Sequence, residues 1–230
     1  MAVIGEEGNG KSTLLRVINN REDVESYCNV SGEILKKGLI LGYLEQSLDK
    51  GWNDVQAYEF FLKDNPGDEN DYDRFAKFDE VAKILSKLGM PTEILESDQC
   101  IETLSGGEKV KIQIVKLLMK DPDVLLLDEP TNDLDIETLE WLEKFICEQK
   151  IPVLFVSHDE TLLENTANII LHLEQLKNRK EARHTLAKTN YNNYVEERQR
   201  KIAKSEQLAT MESREYKKDK RDIKSSKECC

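Results

Sequence analysis

The chain has 230 residues, 39% of them hydrophobic, and a formal net charge of −12. That length suits one ordinary domain plus an appendage, and the acidity argues against an overall attraction to nucleic acid or anionic membranes. No apolar run approaches the ~20 residues that span a bilayer, and no basic-then-apolar stretch reads as a leader. A cytoplasmic protein without membrane insertion is expected, its five cysteines reduced and none at zinc spacing. The average charge hides an asymmetry. Residues 175–230 carry sixteen Lys/Arg against nine Asp/Glu, so an acidic body bears a basic tail.

In chain order, Met1–Ile4 is a short apolar run. Ser12–Asn20 reads as a first helix. Val30–Leu35 and Leu39–Leu44 are β-rich and split by Lys36–Gly38, which predicts a hairpin; Gln46 follows. Residues 52–62 look helical, and Asn65–Asp73 is turn-rich and acidic. Phe75–Leu88 carries apolar residues at helical spacing and is ended by Gly89-Met90-Pro91. After Leu104, the spacing puts Val110, Ile114, Leu117 and Leu118 on one helix face. Val124–Leu127 is a fully apolar strand, Ile136–Gln149 a helix, and Val153–Val156 and Ile169–Leu173 are further strands. Apolar strands alternating with helices imply an α/β fold with a mostly parallel sheet covered on both sides. From about Asn178 glycine is absent and charge is dense, and a long helix is predicted from Tyr194. Val195, Ile202, Ala209, Tyr216 and Ile223 recur every seventh residue. One seam position fits either a solvated helix or half of a helical hairpin.

Two stretches carry chemistry. Gly5-Glu6-Glu7-Gly8-Asn9-Gly10-Lys11-Ser12-Thr13 matches GxxxxGK[ST]. Glycines let the backbone curl so that successive N–H groups face a phosphate chain, and the helix that follows adds its positive end. Lys11 would reach the β- and γ-phosphates and the Ser12 hydroxyl would ligand Mg2+. Downstream, the strand Val124–Leu127 ends in Asp128-Glu129. Asp128 suits a contact to Mg2+ through water, and Glu129 suits activation of an attacking water.

Leu104-Ser105-Gly106-Gly107-Glu108, upstream of that strand, resembles the signature of ATP-binding-cassette (ABC) ATPases. Gln46 fits that family's Q-loop, Asn132-Asp133-Leu134-Asp135 its D-loop, and His158 in Ser157-His158-Asp159 its switch histidine. The match covers about residues 1–175. It implies the P-loop NTPase cassette fold with a helical signature subdomain, and ATP and Mg2+ as substrate and cofactor. Ser12, Gln46 and Asp128 would surround the metal, Gln46 and Gly5–Thr13 would hold the nucleotide, and Glu129 and His158 would be catalytic. Leu104–Glu108 would contact the γ-phosphate held by a second cassette, so one copy supplies two half-sites. His172 and His184 gain no role from the resemblance.

The EPTNxLD form of residues 129–135 and the tail from Asn190 resemble the ABC-F branch, in particular members of the ribosomal-protection type. Asp133 stands where that branch more often has His. The resemblance implies action on the ribosome, as a translation factor or in antibiotic protection, with residues 176–230 as a basic interdomain linker. Lys201, Lys204, Arg214, Lys217, Lys218, Lys220 and Arg221 could meet rRNA or tRNA phosphates; a solvated charged helix is the plainer reading. The alternatives are an ATPase subunit of a transporter and an inactive gene fragment. Only 57 residues separate Gln46 from Leu104, too few for a coiled-coil insertion of the chromosome-maintenance type. The family's N-terminal β-subdomain, adenine-stacking aromatic and second cassette are not recognisable. The chain therefore reads as truncated at both ends, and is expected to fold marginally and bind ATP weakly.

Overall fold

The computed structural model describes residues 1–69, 78–176 and 181–228, with side chains omitted for 176 and 212–228. Six strands form one sheet: β1 (Ala2–Ile4), β2 (Leu41–Leu44), β3 (Val124–Asp128), β4 (Val153–Val156), β5 (Ile170–Leu176) and β6 (Glu181–Ala187). Their order across the sheet is β2-β3-β4-β1-β5-β6. All neighbours are parallel except β5 and β6. The α/β class and the mostly parallel sheet are as the sequence predicts.

The helices are α1 (Lys11–Asn19), α2 (Arg21–Glu25), α3 (Ala57–Leu62), α4 (Phe78–Lys87), α5 (Gly106–Leu118), α6 (Ile136–Glu148), α7 (Glu160–Thr166) and α8 (Tyr191–Glu228). Strand side chains alternate between two cores, as the pleat requires. Val3, Leu126, Leu154 and Val156 meet Leu15 of α1 on one face. Ala2, Leu125, Leu127, Phe155 and Ile170 meet Leu142 and Phe145 of α6, Leu162 of α7 and Tyr194 of α8 on the other. Fully buried apolar side chains contribute about 1.5–3 kcal/mol each, which is why these strands carry almost no polar residue before Asp128. A third core holds a helical subdomain together: Trp52, Phe60 and Phe61 pack with Val81 and Leu85 of α4 and with Ile112 and Val115 of α5.

Four sequence expectations change. Val30–Leu35 forms no strand, and Leu41–Leu44 pairs in parallel with β3 rather than in a hairpin. Gly32 and Gly38 sit at positive φ and interrupt the run, and Leu35, Leu39 and Ile40 are exposed, so no burial holds it extended. The predicted helix over 52–62 shortens to α3, because Val55 and Asn53 spend their carbonyls on the backbone of Ile101 and Glu102. The sheet also runs past residue 175: β6 pairs with β5 from Ile170↔Ala187 to Leu176↔Glu181, so the sequence boundary at 175 falls inside β5. The helix expected from Tyr194 begins at Tyr191, after Asn190 Oδ1 accepts the Asn193 N–H. Residues 70–77 of the Asn65–Asp73 and Phe75–Leu88 stretches lie outside the described residues. Among the described residues no helix is long and apolar enough to cross a membrane.

Candidate nucleotide site

The site gathers at the carboxyl ends of β1, β3 and β4, where an open parallel sheet leaves a crevice. β1 runs into the glycine loop. Gly5, Gly8 and Gly10 take positive φ, and Gly10 caps α1 in the left-handed region. Gly5 is also pressed against β5: a Cβ there would lie 2.3 Å from the Leu173 carbonyl oxygen. Asn9 braces the loop by donating from Nδ2 to the same carbonyl at 2.9 Å. Lys11 is buried, and its ammonium donates to the carbonyls of Gly5 at 2.9 Å and Glu6 at 3.1 Å. The cation thus lies across the loop it follows, next to the backbone amides that would face a phosphate.

Ser12 Oγ donates to Asp128 Oδ1 at 2.7 Å. This joins the first turn of α1 to the end of β3. Glu129 follows at φ 50°, a conformation that costs roughly 1–3 kcal/mol for a residue with a Cβ. Its N–H is held by the Val156 carbonyl at 3.0 Å. The twist aims Glu129 away from Asp128 and toward His158, whose Nε2 lies 3.3 Å from Glu129 Oε1. Burial raises the Glu129 pKa, against the pull of His158 and Lys11. A carboxylate deprived of water and still ionisable is suited to take a proton from a nucleophilic water. Thr131 Oγ1 and Ser157 Oγ lie 3.1 Å apart, and Ser157 Oγ accepts the Asp159 N–H at 3.0 Å. This hydroxyl bridge ties together the two loops that carry Glu129 and His158.

A cavity of about 450 Å³ opens over these groups, lined by Glu7, Gly8, Gly10, Lys11, Ser12, Thr13, Gln46, Glu129, Asn132 and His158. Of the predicted loop residues, Gly5, Glu6 and Asn9 instead line a neighbouring cavity of about 510 Å³, between the loop and α8. Leu104, Ser105, Gly106, Gly107 and Glu108 line neither cavity. They form the start of α5 and pack against the segment after β3. Ser105 and Glu108 make a reciprocal capping box, with Ser105 N–H to Glu108 Oε2 at 2.8 Å and Glu108 N–H to Ser105 Oγ at 3.2 Å. The Gly106 position leaves no room for a Cβ beside the Asp133 carbonyl, nor Gly107 beside Thr138.

The oxygen donors Ser12 and Asp128 fit a hard cation such as Mg2+. Among the described residues no three His, Cys, Asp or Glu converge on a metal position. A cation here would therefore need phosphate oxygens or water to complete its shell, the usual arrangement for Mg2+.

Sequence reasoning passed over Tyr43, whose hydroxyl donates to Asp128 Oδ2 at 3.2 Å, and Arg16, which lies beside the Tyr43 phenol. Their signal was spacing: Arg16 follows Ser12 by one helical turn, and Tyr43 lies on the strand that leads into Gln46. It also left His172 without a role. That residue is buried, with Nδ1 2.7 Å from the Tyr194 hydroxyl.

A family profile described as ABC transporter matches residues 1–132. The chain belongs to this ABC family. The ATP-binding protein Uup of Buchnera aphidicola subsp. Acyrthosiphon pisum is 34% identical over 182 residues, covering 77% of this chain and 28% of Uup. ABC transporter F family member 5 of Arabidopsis thaliana is 27% identical over 266 residues, covering 99% of this chain and 36% of that protein. Elongation factor 3B of Saccharomyces cerevisiae is 34% identical over 176 residues, covering 76% of this chain and 15% of the relative. Such relatives agree with the ABC-F resemblance, and the chain spans only a fraction of their length. The fold matches an inward-facing metal-chelate type ABC transporter with a TM-score of 0.57 at 22% identity, over 80% of this chain and 71% of that one. The ABC cassette fold is thereby shown.

Proposed function

We propose that this ABC protein binds ATP with Mg2+ in the cavity over Lys11 and Ser12, and hydrolyses it when a second cassette closes on the site. The convergence of Lys11, Ser12, Gln46, Glu129 and His158 around one cavity carries this reading. Lys11 and the loop amides would hold the phosphates, and Ser12 and Asp128 would hold the cation, with Gln46 at the rim. Bound Mg2+ supplies charge neutralisation at the phosphates. Glu129 would accept the proton of the attacking water, and His158 would steady both Glu129 and the γ-phosphate. Ser105–Glu108 stand apart from the cavity, which supports a role at the phosphate of a second cassette, in the same longer chain or in a dimer.

The finer proposal is an ABC-F role on the ribosome, in the cytoplasm. The resemblance of residues 129–135 and of the tail supports it, together with relatives that include a protein named an elongation factor. The electrostatic support is narrower than the sequence suggests. Lys201 is paired with Glu197 at 2.7 Å and Arg200 with Glu196 at 3.2 Å, while Lys204 forms no ion pair among the described residues. The side chains of Arg214, Lys217, Lys218, Lys220 and Arg221 lie outside the described residues. The interdomain linker expected over residues 176–230 is proposed to begin after β6, which pairs with β5 in the sheet, and to run along α8. Antibiotic protection is one form of this role.

Fluorescently labelled ATP should bind the chain, and Lys11→Ala should weaken that binding at least tenfold. Sedimentation with purified ribosomes in ATP tests the finer claim: the Glu129→Gln form should be retained. Co-purification with a permease and no retention would instead favour a transporter subunit.

A further inference from the structure

Both oxygens of the Asp128 carboxylate have a hydroxyl partner, and the two partners come from different elements. Ser12 Oγ reaches Oδ1 and Tyr43 Oη reaches Oδ2. Asp128 is fully buried. A buried carboxylate is costly unless donors face it. The glycine-loop motif accounts for Ser12, because that hydroxyl can give its proton to Asp128 while its lone pairs face a cation. It does not account for Tyr43, which does not line the cavity over Lys11.

Tyr43 stands opposite Leu126 in the β2–β3 register. That places it on the same face of the sheet as Asp128, two residues further along β3, and beneath α1. Arg16, one turn after Ser12 on α1, lies beside the phenols of Tyr43 and Tyr27. A guanidinium only donates. A cation beside the phenol oxygen favours the arrangement in which the phenol proton points at Asp128, the bond the structure shows. The two bonds tie Ser12 of α1 and Tyr43 of β2 to opposite oxygens of Asp128, with Arg16 beside the phenol. Tyr43 also lies three residues before Gln46, so its bond links the strand that leads into Gln46 to the end of β3.

We propose that Tyr43, oriented by Arg16, is a positioning residue that fixes the plane of the Asp128 carboxylate for the divalent cation of a bound nucleotide. This inference rests on the nucleotide reading above. Tyr43 touches neither cation nor nucleotide. Its removal should leave Asp128 bonded to Ser12 but free to rotate, and the loss should appear in metal dependence before nucleotide affinity.

The test measures affinity of the full chain for ribose-labelled ATP twice, in excess Mn2+ and in EDTA. The bound Mn2+ is followed in parallel by its paramagnetic resonance spectrum. In the parent chain Mn2+ should strengthen binding. Tyr43→Phe should cut that strengthening about tenfold, leave the EDTA affinity within about twofold, and broaden the Mn2+ signal. Arg16→Met keeps the phenol but frees its direction, and should cut the strengthening about threefold; it also serves should Tyr43→Phe fail to fold by circular dichroism. A variant that keeps the full strengthening, or that loses equal affinity in Mn2+ and EDTA, overturns the positioning role. A parent chain that binds no labelled ATP in either condition overturns the nucleotide reading, and this inference with it.

Discussion

The Glu129 carboxylate stands 3.3 Å from the His158 imidazole across the ends of β3 and β4. Neither strand alone could set that distance. Glu129 is turned by its positive φ and its bond to the Val156 carbonyl, and His158 is placed by the Thr131–Ser157 bridge. Removing the carboxylate charge while keeping its shape should stop proton abstraction and spare binding. Glu129→Gln in the two-cassette protein should lower ATP turnover by at least about 100-fold, with labelled-ATP affinity within a few-fold. Turnover within tenfold of the parent would remove Glu129 from the catalytic role.

The same substitution has a pH signature in the folding of the chain. Burial raises the Glu129 pKa above its ordinary value. The folded state therefore holds the proton more tightly than the unfolded state. That contribution is fully present below the unfolded carboxylate pKa, and it is lost as pH rises through the folded value. Above that window the parent carries a buried charge that Glu129→Gln lacks. Urea unfolding should show Glu129→Gln more stable than the parent at neutral pH, with the gap shrinking on acidification. A constant gap across the acid range would contradict the assignment.

Much of the candidate site is legible in the sequence because its residues fall in short contiguous motifs. The glycine loop, the strand ending in Asp128-Glu129 and the Ser157-His158 pair each advertise a strand end and a chemistry together. What stayed hidden was pairing across distance. Tyr43 and Asp128 are 85 positions apart and meet only because β2 and β3 are neighbours. β6 was missed because Glu181–Ala187 is mostly exposed and polar, so it shows no apolar alternation. The hairpin expected over 30–44 failed for the converse reason. Its apolar residues look strand-like, yet Leu35 and Leu39 find no core.

Gly106 and Gly107 open α5 against the Asp133 backbone and the Thr138 side chain. A methyl at Gly106 would lie 2.7 Å from the Asp133 carbonyl oxygen, and one at Gly107 would lie 2.3 Å from Thr138 Oγ1. Asp133 is already at φ 59°, so it has little freedom to yield. Gly106→Ala should destabilise the chain by about 1–3 kcal/mol in urea unfolding, with m unchanged. Binding of labelled ATP by the folded fraction should persist, because neither glycine lines the cavity over Lys11. Gly106→Ala as stable as the parent would show that the segment after β3 is looser than its packing implies.

The first turns of α8 are docked to β5, the strand that braces the glycine loop through Leu173. Tyr194 is buried against the sheet core and hydrogen-bonded to His172, and Arg198 pairs with Glu174 at 2.5 Å. These two contacts differ in worth. The Arg198 side chain is 44% exposed, so Arg198→Met should cost under about 1 kcal/mol. Tyr194→Ala removes a core ring and should cost about 3 kcal/mol. Burial lowers the His172 pKa, with Arg198 acting in the same direction and Glu174 and Glu6 against it. The unfolded state therefore binds the His172 proton more readily. The stability this gives is present above the ordinary imidazole value and is lost as pH falls through the folded one. Measured from pH 5 to 8, the stability of the parent relative to His172→Asn should rise with pH, and the exchange protection of amides 194–199 should rise with it. A relative stability that falls over that range would mean that the protonated imidazole, donating to the Tyr194 hydroxyl and facing Glu174, is the form that holds α8 in place.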